Sequence, residues 1–320
     1  MAVYRIGDML RMKREALGIT REKLCELSEE ACSPQTLYRM ECGKVKIKQE
    51  LYRKLMECMG ELPERNYASV LVSSYKALNL KTEIQVHLVN REYEQAEKKL
   101  EELEHFLDDN YTRNKQYVLE IKSKLAYYNG QISSEEHLEN LWKALQYTIP
   151  NIDKIELEKW PYNNEEFDIL FAIANIYSQM KQRENEEKVL FKLKENTEKK
   201  YIEESCYVSR HTHCLMNLSQ LMSIQKQHEK SIEYCRKGMK KTKNQLVLGM
   251  IYNLLYDLVW NTENLIRKGK AEKKERESCK KLLVQAYYLS IAQTMEHDVS
   301  NTERIKRLCE YFYPGEITLI

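Results

Sequence analysis

Apolar residues recur at helical spacing along almost the whole chain, and turn and capping residues cut the pattern into short segments first and longer ones later. Ile6, Met9, Leu10 and Leu17 form the first such set, ahead of Gly18. Thr20 is the expected N-cap of a second helix that buries Leu24 and Leu27. The third helix has the clearest start, because Ser33 is a capping residue and Pro34 then stands at the first helical position, where a missing N–H costs nothing. Leu37 and Met40 face inward on that helix, which leaves Gln35, Tyr38 and Arg39 on the opposite face before Gly43 ends it. A fourth helix from Leu51 to Met59 closes this small bundle.

The text changes at Gly60, where GELPERNY combines turn and charged residues and predicts a linker. Beyond it the chain reads as helix pairs, similar in pattern rather than in identity. Tyr93 to Leu103 is the second helix of one pair. Tyr117 to Asn129 and a helix capped at Ser133 make the next, and Phe167 to Met180 with Val189, Leu190 and Leu193 a third. Leu215 to Ile224 with Ile232 to Met239 make a fourth, Val247 to Trp260 with Cys279 to Met295 a fifth, and a short helix from Ile305 to Tyr313 caps the series. The expected fold class is all-α.

Composition supports that reading: with five prolines and nine glycines in 320 residues the chain is poor in helix breakers, and 42% hydrophobic content suffices for packed cores. A net charge of +2 excludes a bulk polyelectrolyte binder, so any nucleic-acid contact is local. The charged run RKGKAEKKERESCKK is expected to be a solvated extension of two helix ends. No apolar run approaches membrane-spanning length, and Arg5 and Asp8 interrupt the start where a signal peptide needs an apolar stretch, so a cytoplasmic protein without a membrane partner is expected. The nine cysteines are scattered and form no CxxC, which implies small buried hydrophobes rather than a disulfide framework. His211 and Cys214 share a helix face and would supply half a zinc site, but His213 points away and Cys206 lies two turns upstream, so no metal is expected. Cys42, beside the third helix, is a candidate exposed thiol. There is no GxSxG, Walker A loop or HExxH, so neither an enzyme nor a cofactor is expected.

The segments IGDMLRMKREALGIT, REKLCEL and SPQTLYRMECGK together resemble the helix-turn-helix of the Xre and lambda-repressor class. Arg14, Leu17, Gly18, Leu24, Ser33, Leu37, Arg39, Glu41 and Gly43 fall where that pattern has them, with about two extra residues between the second and third helices. Cys32-Ser33 ahead of the third helix is similar to the Rgg and PlcR type of regulator, in which this domain precedes a degenerate tetratricopeptide stack. The resemblance implies a DNA-binding domain at 1–62, a linker at 63–67 and an α-solenoid at 68–320 that senses and dimerises. It also implies a cytosolic homodimer that responds to short imported signalling peptides by changing transcription.

On that footing the third helix enters the major groove, with Gln35, Tyr38 and Arg39 toward base edges and Arg14, Arg21, Lys44, Lys46 and Lys48 toward phosphates. A dimer would read an inverted repeat. For the ligand, the inner groove of a helix-pair superhelix is lined by the first helix of each pair, and asparagine both donates and accepts toward a peptide backbone. Asn175, Asn217 and Asn253 recur in such helices, in IANIY, LMNLS and IYNLL. Two other readings stay open: a Rap-like protein whose repeats grip a partner protein, and a dimeric repressor without a ligand.

Overall fold

The computed structural model describes residues 6–60, 75–107, 111–160, 162–198, 204–242, 248–293 and 300–319. The described residues are helical and form no strand. They divide into two compact units, one running to Val189 and the other comprising Leu190–Glu198 and the residues from Glu204 onward. The linker expected at 63–67 lies outside the described residues, as do the side chains of Ile6 and Cys206.

The first unit opens with four short helices, α1 (Ile6–Ala16), α2 (Arg21–Leu27), α3 (Pro34–Glu41) and α4 (Gln49–Cys58). Their core is Leu10, Leu24, Cys25, Leu37, Leu55, Met56 and Met59. The Thr20 hydroxyl accepts from Lys23 N and the Ser33 hydroxyl from Thr36 N, so both expected caps form. Leu27 departs from expectation and is 46% exposed. In so short a helix the inward face is made by Leu24 and Ser28, one turn apart, with Cys25 beside them, and Leu27 is rotated away from it. The extra length before α3 is taken up by Glu29 and Glu30, two consecutive residues with φ of +53° and +55°, and Lys54 pairs with Glu29 at 2.7 Å.

The helix pairs follow. In the first unit they are α5 (Tyr75–Val89) with α6 (Tyr93–Glu104), α7 (Thr112–Tyr128) with α8 (Ser134–Thr148), and α9 (Asn164–Gln179) with the start of α10 (Arg183–Glu198). In the second they are α11 (Glu204–Ile224) with α12 (His228–Thr242) and α13 (Leu248–Arg267) with α14 (Glu275–Gln293), closed by α15 (Ser300–Phe312). Every pair turns in the same way. One left-handed residue, Arg91, Gly130, Lys181, Lys226 or Gly269, stops the first helix, and the next amide reaches back to a carbonyl of the last turn, as Glu92 N does to His87 O and Gln227 N to Met222 O, each at 2.8 Å. Glycine is the unstrained choice at only two of these five turns, so the repeat is one of backbone geometry more than of residue identity.

Polar links tie α1 to the helix pairs within the first unit. Asn151, after α8, donates to the Ala16 carbonyl at 2.6 Å, and Lys13 pairs with Glu166 of α9 at 3.2 Å. No helix among the described residues is long and apolar enough to cross a membrane.

Gly7 permits the closest approach inside the bundle, because a Cβ there would lie 2.0 Å from the Met40 carbonyl oxygen. Gly7→Ala is expected to cost about 1–3 kcal/mol in urea unfolding, the range for overpacking. Gly18→Ala, where nothing lies within 4 Å and only a φ of +66° opposes the change, should cost about 1 kcal/mol. A Gly7→Ala variant as stable as the parent would contradict this packing of α1 on α3.

Candidate nucleic-acid face and ligand cavity

The inward residues of α3, namely Leu37, Met40 and Glu41, are buried, and Gln35, Tyr38 and Arg39 are all exposed on its outer side. The Arg39 side chain makes no hydrogen bond or ion pair among the described residues. Tyr38 lies between two cations, with the Arg21 guanidinium 5.1 Å and the Lys44 ammonium 5.7 Å from its ring centre. Lys44, Lys46 and Lys48 are exposed beside this face.

Glu41 fixes the face from behind. Its fully buried carboxylate accepts from Arg14 at 2.6 Å and 3.2 Å and from Arg21 at 2.7 Å, joining α3 to α1 and α2. Arg14 also donates to the Ile19 carbonyl at 2.8 Å. Arg14 is therefore not a phosphate contact as the charge pattern suggests: it is 6% exposed and spent on Glu41. Arg21 divides its guanidinium between Glu41 and the face of the Tyr38 ring.

Lys13, next to Arg14, is buried as well. Its ammonium meets Glu166 and lies 4.6 Å from the centre of the Trp160 ring. Glu166 in turn accepts from Trp160 Nε1 at 3.3 Å and from Asn163 N at 3.0 Å, the latter as half of the capping box that starts α9. Sequence reasoning missed this pair, and its one visible signal was the N-x-x-E spacing of Asn163 and Glu166.

The second unit holds a cavity of about 690 Å³ between α11, α13 and α15. Gln220 comes from α11, Tyr256, Asp257, Trp260 and Asn264 from α13, and Arg304 from α15. His228, Lys226 and Lys268 stand at the helix ends around it. Asp257 is buried and accepts from Ser219 Oγ at 2.7 Å, with the Arg304 guanidinium 3.6 Å away and stacked 3.9 Å from the centre of the Tyr256 ring. A buried chain continues behind it: Asn261 donates to Ser231 at 2.9 Å and accepts from His228 Nδ1 at 2.8 Å. An amide oxygen can only accept, so the His228 Nδ1 is the donor in that bond.

Asn217 and Asn253 stand one turn before Gln220 and Asp257, on the helix faces that carry the cavity wall, although neither lines the cavity itself. The Asn217 Nδ2 is buried and has no acceptor. Asn175 is exposed on α9, in the other unit. Asp257, Trp260 and Arg304 were not anticipated, though a single carboxylate inside IYNLLYDLVW is a visible signal for Asp257. His211 is bonded through Nδ1 to Thr197 Oγ1 at 2.8 Å, burial pushes the Cys214 thiol up, and the described residues contain no cluster of three metal-ligating side chains.

The chain matches no protein-family model and no curated protein sequence. Solved structures do resemble it. PlcR of Bacillus thuringiensis, in complex with the peptide PapR7 and DNA, superposes with a TM-score of 0.52 at 17% identity, over 97% of this chain and 99% of that one. The chain has a PlcR-like fold. The competence regulator ComR of Streptococcus vestibularis gives 0.46 at 13% identity, over 97% and 98% of the two chains. The SHP pheromone receptor Rgg2 of Streptococcus dysgalactiae gives 0.45 at 15%, over 95% and 99%. The PlcR-like fold accounts for the all-α, solenoid-type architecture expected from sequence.

Glu41→Ala should cost about 3 kcal/mol, because it leaves the buried Arg14 with only the exposed Glu15, 3.2 Å away, as a counter-ion. Replacing both partners, Arg14→Met with Glu41→Leu, should recover most of that loss, and urea melts of the two proteins decide the matter. Burial pushes the Asp257 carboxyl up to about 6 from an ordinary 3.8, against the opposing pulls of Ser219 and Arg304. The folded state therefore holds this proton more tightly than the unfolded chain, and the contribution of Asp257 to stability falls as pH rises from about 4 to about 6. Asp257→Asn should flatten that part of the pH profile and raise stability at neutral pH, on the order of 3 kcal/mol. An unchanged profile would contradict the assignment.

Proposed function

We infer that this protein is a transcription regulator that binds specific DNA through α3 and responds to a short peptide held by its helical repeats. The observation that carries this reading is the outer face of α3, where Gln35, Tyr38 and Arg39 stand exposed on a helix whose inner side is anchored by Glu41. A helix presented in this way suits the major groove. Gln35 pairs with adenine N6 and N7, Arg39 with guanine O6 and N7, and Tyr38 packs on a thymine methyl. Arg21 and Lys44 flank Tyr38, and with the exposed Lys46 and Lys48 that follow α3 in the chain they suit phosphates.

In this reading residues 1–62 are the DNA-binding domain, 63–67 the linker, and 68–320 the sensor and dimer platform. A single small domain makes few base contacts, so a homodimer on an inverted repeat, with half-sites about 34 Å apart or a multiple of that, supplies useful specificity. The peptide reading draws on the open cavity between the first helices of successive pairs in the second unit, and on Asn217 and Asn253 along the same faces. Asn175 is the third backbone-binding asparagine of this proposal. PlcR, whose fold this chain shares, is described in complex with a peptide and DNA, which favours the same pair of ligands here. The protein acts by binding, without catalysis, in the cytoplasm.

Fluorescence anisotropy on duplex DNA from upstream of the gene, against a scrambled duplex at several salt concentrations, tests the DNA half. The expected result is salt-sensitive binding that prefers the native duplex. Gln35→Ala should abolish most of the preference, about 1–3 kcal/mol for a lost bidentate base contact. Lys46→Ala should weaken binding to both duplexes alike and lower the salt slope by about one. Equal binding by the parent protein to both duplexes would overturn the reading.

A further inference from the structure

The cavity of the second unit has a definite chemical character. Three cations border it, Lys226, Lys268 and Arg304, against one carboxylate, Asp257. Lys226 and Lys268 are exposed, and their side chains form no ion pair or hydrogen bond among the described residues. Arg304 is only loosely engaged: its nearest Asp257 oxygen is 3.6 Å away, beyond hydrogen-bond length, and its guanidinium face rests on Tyr256. Asp257 does not need Arg304 as its hydrogen-bond partner, since Ser219 already donates to it at 2.7 Å. The fork of Arg304 thus has free N–H groups beside a cavity with an excess of positive charge.

The rest of the wall is apolar or neutral and polar. Trp260 presents a ring whose other contacts are Tyr311 and Phe312, and Tyr256 stands one turn before it. Gln220, Asn264 and His228 add further hydrogen-bonding groups. An anion receptor beside an aromatic wall and amide partners fits one end of a peptide: a carboxylate, the last apolar side chain, and the amide that joins them.

We propose that this cavity is a carboxylate-recognition site, in which Arg304 binds the anionic end of an extended ligand, Trp260 with Tyr256 packs against the adjoining apolar group, and Lys226 and Lys268 at the rim add positive potential. The assignment rests on the peptide-sensing reading above and deepens it by fixing which ligand chemistry is read and by which residues. The carboxylate comes either from a free C-terminus or from an acidic side chain.

The test uses the full-length protein and a pool of N-acetylated hexapeptides randomised at every position, prepared once as free acids and once as C-terminal amides. Retained peptides are separated with the protein by gel filtration and read by mass spectrometry. The expected result is retention from the acid pool about tenfold above the amide pool, with apolar residues enriched at the last position. Retention from the amide pool confined to peptides carrying Asp or Glu also supports the site, with a side chain as the source. Arg304→Gln should lower retention about tenfold, and Lys268→Gln, an exposed change that does not disturb folding, about threefold through the lost positive potential. Equal retention of both pools irrespective of acidic residues, or variants that retain the same peptides as the parent, overturns the carboxylate site and leaves the peptide reading standing. Retention of neither pool by the parent contradicts the peptide reading itself, and this inference with it.

Discussion

A carboxylate buried between two arginines sets the geometry on which the proposed DNA-facing surface depends. Glu41 is the last residue of α3, and through Arg14 and Arg21 it fixes that helix against α1 and α2 at once. Buried ion pairs of this sort add little net stability over well-packed apolar groups, yet are costly to break from one side. Their effect here is on arrangement: the apolar core of Leu10, Leu24, Leu37 and Leu55 supplies cohesion, and Glu41 decides how the outer face of α3 is turned. The adjacent residue, Lys13, has an equivalent partner in Glu166, so α1 spends two consecutive cations on two buried carboxylates, one in the helical bundle and one on α9.

A second set of buried polar contacts organises the other unit. Ser219, Asp257, Ser231, Asn261 and His228 join α11, α12 and α13 by hydrogen bonds between side chains and from side chains to the backbone. Each such group is expensive to bury unless it is bonded, and the network meets that requirement behind the cavity wall. With those demands met internally, Gln220, Trp260 and Arg304 remain available on the open side. The separation of the two roles, a bonded interior and an unspent lining, is what suits the cavity to the recognition role proposed for it.

Much of the architecture could be read from residues that act locally. Ser33 with Pro34, Thr20, Ser133 and Gly43 begin or end helices through their own backbone chemistry, and the structure has them in those roles. The helix α5 was less visible because Leu78, Val86 and Val89 put apolar side chains on its exposed faces and blur the stripe formed by Ala77, Leu80 and Ile84. Charge posed the greater difficulty. Arg14, Lys13 and Lys46 look alike in sequence, and only tertiary packing separates two buried ion-pair partners from an exposed cation. Likewise Arg14 takes Glu41 while Arg39 stays on the outer face, a division that depends on which helix passes behind α3. Asn217 and Asn253 led to the faces that carry the cavity, whereas Arg304 reaches it from a helix distant in sequence that no local pattern links to α13.

The central claim is that the outer face of α3 reads DNA sequence in two symmetric copies. Selection of bound duplexes from a fully random pool, followed by sequencing, tests it with no operator specified in advance. The parent protein is expected to enrich one inverted-repeat motif, with its half-sites separated by whole helical turns. A pool that stays unenriched, or a motif without two-fold symmetry, would contradict it.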